Sequence, residues 1–322
     1  MEKKLSDAMT GPEACSGDDG KGTRAGQCGV VALIGAPNAG KSTLLNRLVG
    51  AKLSIVTHKV QTTRARVRGV ALEGDSQIIL VDTPGIFSTP KRRLERSMVQ
   101  AAWAGAEDCD LVVLLYDAAR KSIDDETLKI IERLKDIGRP CVLLLNKIDR
   151  IRRDKLLELA ARFDAEGLFE QIFMVSAETG DGVDHLKSFL AERMPEGPWL
   201  YPEDQLSDLP MRLLAAEVTR EKLFLRLHEE LPYALTVETE NWEDFRDGSL
   251  RIEQTIYVER PQQRKIVLGR QGEAIRKVRE LAQQELEAEL ERKVHLFLFV
   301  KVRERWTDDP ERYLQWGLDF NV

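Results

Sequence analysis

The chain has 322 residues, 43% of them apolar and 32% charged, with a net charge of −6. That length exceeds one ordinary core and suits two domains at roughly 100–200 residues each. The longest apolar runs, Leu111 to Leu115 and Cys141 to Leu145, fall far short of the ~20 residues that span a bilayer, and the acidic balance argues against a uniformly basic nucleic-acid binder without excluding a local basic patch.

Residues 1–28 are rich in Gly, Asp and Lys and lack the apolar stretch of a secretory signal, so they read as a flexible tail and export is not expected. Cys15, Cys28, Cys109 and Cys141 show neither CxxC spacing nor nearby histidines, so zinc and disulfides are not indicated and a reduced cytoplasm fits. From Gly29 to about residue 195 the strand-like runs Val30–Ile34, Ile78–Val81, Leu111–Tyr116, Cys141–Leu145 and Ile172–Val175 alternate with helical segments such as Thr127–Ile137 and Lys155–Phe163. The alternation predicts an α/β domain, a mostly parallel sheet with helices on both faces. Residues 196–207 begin in a proline-rich stretch that cannot sustain a helix and read as a linker. Beyond it, over 208–322, a helix at Met211–His228, strands at Tyr233–Glu240 and Leu250–Glu259, a helix at Glu273–Leu290 and a strand at Val294–Val302 predict a smaller α+β unit. Glu285, Glu287, Glu289 and Glu291 read as a solvated helix end.

The octapeptide Gly35, Ala36, Pro37, Asn38, Ala39, Gly40, Lys41, Ser42 follows the first strand and opens a helix that continues with Thr43. This is the setting of a phosphate loop: backbone N–H groups face the phosphates, Lys41 reaches the terminal ones and the Ser42 hydroxyl ligates magnesium. Asp82, Thr83, Pro84 and Gly85, followed by Ile86, end the strand Ile78–Val81. There an aspartate holds the metal through water and the Gly85 N–H meets the third phosphate. Asn146, Lys147, Ile148 and Asp149 follow a buried strand. The Asp149 carboxylate can accept from N1 and the exocyclic amino group of guanine, which adenine cannot match. Asn146 braces the loop and meets the base edge, the Lys147 stem packs over the ring, and Ser176, Ala177 and Glu178 offer a backbone N–H to guanine O6. Between the first helix and the second strand lies Leu53–Arg64, where a loop orders around metal and terminal phosphate. Thr63 is the expected second magnesium ligand, with Thr62 as the alternative.

In this order the motifs resemble the translation-factor-like branch of phosphate-loop GTPases. The resemblance implies binding of GTP and GDP and hydrolysis of GTP with magnesium. Many relatives place a glutamine after DxxG to orient water, whereas here the residue is Ile86. Slow hydrolysis is therefore expected, with Lys41, Thr63 and Gly85 as the catalytic groups, and Asn38 points to potassium as a second cation.

In the second unit, Lys265 through Val278 place Gly269, Arg270, Gln271 and Gly272 between two helical segments. This resembles a KH domain of the bacterial type, in which a GxxG loop presses on a nucleic-acid backbone and bases lie in an apolar groove. Residues 261–279 carry six basic residues against the single acid Glu273, so Lys265, Arg270, Gln271, Arg276 and Lys277 with the two glycines are the expected RNA contacts. Trp306, Tyr313 and Trp316 either stack on bases or pack a terminal helix. The two units together are similar to the Era family of bacterial GTPases. That implies binding to 16S ribosomal RNA and help in assembling the small (30S) ribosomal subunit, by a cytoplasmic monomer with peripheral association at the inner membrane.

Overall fold

The computed structural model describes residues 25–57, 59, 64, 66–86, 90, 92–228 and 230–322. The tail expected over 1–28 thus lies outside the described residues except at its end, where the first strand already begins. That strand, β1 (Ala25–Gly35), is followed by α1 (Lys41–Val49), β2 (Val67–Glu73), β3 (Ser76–Asp82), α2 (Arg93–Glu107), β4 (Leu111–Asp117), α3 (Asp125–Ile137), β5 (Cys141–Asn146), α4 (Arg153–Asp164), β6 (Ile172–Val175), α5 (Val183–Glu192) and β7 (Glu196–Pro198). The sheet order is β2-β3-β1-β4-β5-β6, parallel except for β2, and β7 pairs antiparallel with the start of β1.

Period-2 alternation in β3 decides which side chains meet which helices. Ile78 and Leu80 join Leu44, Leu45 and Leu48 of α1 and Leu186 and Leu190 of α5. The opposite sheet face, led by Ala32, Ile34, Val112 and Leu114, packs on Trp103 of α2, Ile130 of α3 and Phe163 of α4. Helix ends follow local chemistry: the Asp124 carboxylate accepts the Thr127 N–H at 2.8 Å to start α3, and Gly138 in the left-handed region ends it.

The segment expected as a free linker is tied to this sheet. Beyond the β7 pairing, the buried Gln77 side chain accepts the N–H groups of Leu200 (2.9 Å) and Tyr201 (3.0 Å) and donates to the Tyr201 carbonyl (2.8 Å). Ser207 bridges to Gly69 of the edge strand β2. Proline-rich chain is extended and so can lie along a sheet edge, which a composition reading registers only as the absence of helix.

The second unit comprises α6 (Met211–Arg226), β8 (Leu235–Asp244), β9 (Leu250–Val258), α7 (Pro261–Leu268), α8 (Glu273–Glu289), β10 (Val294–Val302) and α9 (Pro310–Gln315). Its sheet runs β10-β9-β8, with β10 parallel and β8 antiparallel to β9. One face packs on α6, α7 and α8 through Leu223, Val267, Val278, Ala282 and Leu286. The glutamates expected to be solvated on α8 are partly engaged. Glu285 pairs with Lys52 and Lys222, and Glu287 accepts the Val294 N–H at 3.1 Å. Long-range partners engage Glu285, and the start of the next strand engages Glu287.

The C-terminal aromatics pack rather than offer free faces. Trp306, Tyr313, Trp316 and Leu318 form one cluster with Leu94 and Met98 of α2. Trp306 is fully buried, its indole N–H donates to the Ala234 carbonyl at 3.1 Å, and the Arg64 guanidinium lies 5.4 Å from its ring. The tail thereby joins α2 of the first unit to the sheet of the second. Trp306→Ala is expected to destabilise the protein by about 3–5 kcal/mol, as other large core truncations do, measured by urea unfolding followed by circular dichroism. A loss below about 1 kcal/mol would contradict this role.

Candidate nucleotide and RNA sites

The loops at the carboxyl ends of β1, β3, β5 and β6 converge, as in open α/β sheets generally. Between β1 and α1 the chain curls with positive φ at Asn38 and Gly40 (64° and 102°). A Cβ on Gly40 would sit 2.1 Å from Asn146 Nδ2, so only glycine fits there. Gly85 is equally confined, since its Cβ would lie 2.9 Å from Pro37 Cα. A cavity of about 510 Å³ opens between these loops, lined by Pro37, Asn38, Gly40, Lys41, Ser42, Thr43, Gly85, Lys147 and Glu178 among the expected residues. Ile55, Val56, Thr57, Asp117 and Arg150 complete its wall.

Other expected residues stand behind the cavity wall. Asn146 is buried and ties two loops together: Nδ2 donates to the Ala39 carbonyl at 2.8 Å, and Oδ1 accepts the Ala177 N–H at 3.0 Å. Thr83 donates its hydroxyl to the Leu33 carbonyl at 2.7 Å, and Ile86 turns into the core of the α2 face, so neither presents a side chain to ligand. Lys147 Nζ holds Asp117 (2.6 Å) and the Asn38 carbonyl (2.8 Å), stretched along the loop where its stem can flank a ring. The Ser176 hydroxyl, then backbone and Arg150, hold the Asp149 carboxyl below its ordinary pKa despite some burial, so it is an anion ready to accept. Gly35, Ala36, Pro84, Ile148 and Ser176 contribute backbone to these same loops. Thr63 and Thr62 lie outside the described residues.

Three polar groups carried no motif and were missed. Ser54 Oγ donates to Asp82 Oδ2 at 2.8 Å, the distance at which Ser42 Oγ reaches that same oxygen. Asn46 accepts the N–H groups of Leu53 and Ser54, both at 2.9 Å, and so shapes the loop after α1. Arg47 reaches the carbonyls of Ala177 and Glu178. An asparagine one helical turn past Ser42 is the only sequence signal for any of these, and it is weak.

The donors around Asp82 are hard oxygens with one carboxylate, and among the described residues no cluster of three or more His, Cys, Asp or Glu could hold a metal alone. Such a set fits magnesium, which keeps water and shares phosphate oxygens with one or two carboxylates. Lys41 is buried, with Nζ on the Gly35 and Ala36 carbonyls at 2.9 and 3.1 Å. Burial pushes its pKa from 10.5 down to about 8; the Asp82 charge opposes that and Arg120 adds to it.

In the second unit the GxxG turn projects from between α7 and α8, with Gln271 at φ 51° and Gly269 and Gly272 at 73° and 77°. Lys265, Arg270, Gln271, Arg276 and Lys277 line this turn and the helices beside it, and Lys265, Arg270 and Lys277 are exposed. A groove of about 440 Å³ beside them is lined by Ile266, Val267, Ala274 and Val278 with Leu223 and Leu227. Apolar walls next to exposed cations suit a single strand, with bases in the groove and phosphates at the turn.

Residues 30–147 match the family described as 50S ribosome-binding GTPase, and residues 230–307 match the KH domain family. The chain is 62% identical over 292 residues to the GTPase Era of Sinorhizobium medicae, covering 91% of this chain and 94% of that one. It is 57% identical over 319 residues to that of Agrobacterium fabrum, covering 98% and 99%. Among solved structures, a single-residue variant of Aquifex aeolicus Era bound to GDP.AlF4- is 36% identical with a TM-score of 0.85, covering 92% of this chain and 100% of its own. Era in complex with MgGDPNP and nucleotides 1506–1542 of 16S ribosomal RNA matches with the same identity and TM-score, covering 92% and 99%.

Anionic phosphates favour the charged lysine, so nucleotide binding should take up a proton wherever free Lys41 is partly neutral. With a free pKa of about 8, GDP binding should absorb most of a proton at pH ~8.5 and about a tenth at pH ~7, weakening as pH rises. Calorimetry in buffers of different ionisation enthalpy reads this directly; equal uptake at both pH values would refute it.

Proposed function

The chain belongs to the Era family of GTPases, and from that premise we propose that it is a GTP-controlled RNA-binding factor that engages 16S ribosomal RNA and assists assembly of the small ribosomal subunit. The observation that carries this reading is the pairing, in one chain, of a phosphate-loop cavity with an exposed basic GxxG turn beside an apolar groove. We divide the chain into a tail (1–28), a GTPase domain (29–195), a linker (196–207) and an RNA-binding domain (208–322).

On this reading Lys41 and the N–H groups of residues 35–43 hold the β and γ phosphates, and Ser42, Asp82 and Thr63 hold magnesium. That ion supplies charge stabilisation at the phosphates when bound. Ser54 keeps the Asp82 carboxylate aimed once the Ser42 hydroxyl turns to the metal. Asp149 selects guanine while Asn146, Lys147 and residues 176–178 shape the base pocket. Ile86, the residue directly after DxxG, is apolar and buried, so its side chain does not orient water. That task falls to backbone at Gly85 and Thr63, which implies slow hydrolysis until a partner assists. Potassium at Asn38, a cytoplasmic setting, peripheral inner-membrane association and a monomeric state complete the proposal by family likeness.

Arg270, Arg276 and Lys277 contact phosphate. Their joint replacement by glutamine should weaken binding of a 3′-terminal 16S rRNA fragment about tenfold or more. It should also reduce the slope of log affinity against log salt by about 2, the loss of three single-strand phosphate contacts. Basal GTP hydrolysis serves as the folding control, and a large-subunit RNA fragment as the specificity control. Unchanged affinity and slope would move the partner away from RNA at this surface.

A further inference from the structure

A separate cavity of about 360 Å³ lies on the α2 side of the large sheet. Its origin is topological. The hydrophobic cluster under α2, α3 and α4 includes no residue of β2 or β3 among the described residues, and only the end of α2, at Gly105, borders that part of the sheet. Val30, Ile79 and Val81 form an apolar floor, and Arg66, Arg68 and Tyr201 stand around it with one carboxylate, Asp108, so the wall carries two cations against one anion. Tyr201 is itself fixed by Gln77, so the wall is built rather than incidental.

Arg66 is the informative residue. Its Nη2 lies 3.0 Å from where a Cβ on Gly105 of α2 would be, so the guanidinium presses against the helix. Its Nε is buried and, among the described residues, has no hydrogen-bond partner. Burial first, and the neighbouring Arg68 charge second, hold its pKa below the ordinary guanidinium value, with Asp108 opposing. Arg68 itself pairs with Asp208 at 3.5 Å, where both are more than a third exposed. Because Nε is closed to solvent, a ligand in the cavity meets this guanidinium through its Nη groups. A planar guanidinium is the group best shaped to take an oxyanion edge-on.

We propose that this cavity is a ligand site for a small carboxylate or phosphate carried on an apolar body, the oxyanion on Arg66 with Arg68 at the rim and the apolar part on Val30, Ile79 and Val81. It is distinct from the nucleotide cavity, shares no lining residue with it, and does not depend on the RNA reading. A ligand there would touch both α2, which follows the DxxG loop, and the segment joining the two units.

The test titrates benzoate, and separately inorganic phosphate, into the full-length protein saturated with GDP and magnesium, so that the phosphate loop is filled. Saturable benzoate binding to the wild type, weakened at least tenfold by Arg66→Gln with GDP affinity unchanged, is the expected result. Arg68→Gln, at the exposed rim, gives the same reading, at smaller amplitude, should Arg66→Gln fail to fold. Failure of benzoate to saturate, equal binding to the variants, or phosphate binding as tightly as benzoate would overturn the proposal.

Discussion

The buried carboxylate of Glu221 ties the loop after α1 to the second unit. From α6 it accepts the Val56 N–H at 2.9 Å and the Lys52 ammonium at 2.7 Å. Burial pushes its pKa up, but the hydrogen bonds from Lys222, Lys52 and Val56 more than offset that and hold it below 4.5. Two residues before Val56, Ser54 holds Asp82, the carboxylate beside the metal position. Lys52 also reaches Glu285 on α8, the helix that begins at the GxxG turn. A short polar chain therefore runs from the DxxG aspartate to the helix that follows the GxxG turn. Lys222 also pairs with Glu221 and Glu285, so movement of residues 52–56 withdraws the Lys52 ammonium and the Val56 N–H and leaves both carboxylates to that one lysine, which cannot leave α6 and α8 unaffected.

The frame around such a contact is tied by hydrogen bonds and close packing on both sides. Asn146 locks the phosphate loop to the loop after β6, and Gly40 and Gly85 permit backbone to approach where any side chain would collide. On the far side of residues 52–64, Arg64 donates to the Leu235 and Tyr233 carbonyls at 2.7 and 3.2 Å. The aromatic tail clamps α2 to that same corner. Loop, helix and tail thus meet the second unit at three places.

Much of this was legible from residues alone because its signals are local. The phosphate loop, DxxG and NKID each sit at the end of a β-branched or leucine-rich strand, and the GxxG between helices is equally short-range. What was not legible depends on contacts far apart in sequence. Residues 196–207 are interrupted by Gly197, Pro198 and Pro202 and so read as free linker, yet Gln77 and β1 hold their first half in place. Glu285 looks like any charge on a helix surface until Lys52, 233 residues away, arrives beside it. Trp306, Tyr313 and Trp316 advertise burial through their bulk, but nothing local names α2 as the surface they cover. Ser54 lies in an apolar run with no motif, and its role appears only once β3 brings Asp82 alongside.

The central claim is that nucleotide state and RNA affinity are coupled through residues 52–56 and Glu221. The direct measurement is the affinity of a 3′-terminal 16S rRNA fragment for the protein loaded with a non-hydrolysable GTP analogue and with GDP, in the wild type and in Glu221→Gln. Coupling of about 1–3 kcal/mol between two sites corresponds to roughly 5–150-fold. The account predicts a ratio in that range for the wild type, at least threefold smaller in the variant. Equal RNA affinity in both nucleotide states of the wild type, or an undiminished ratio in Glu221→Gln, would contradict it.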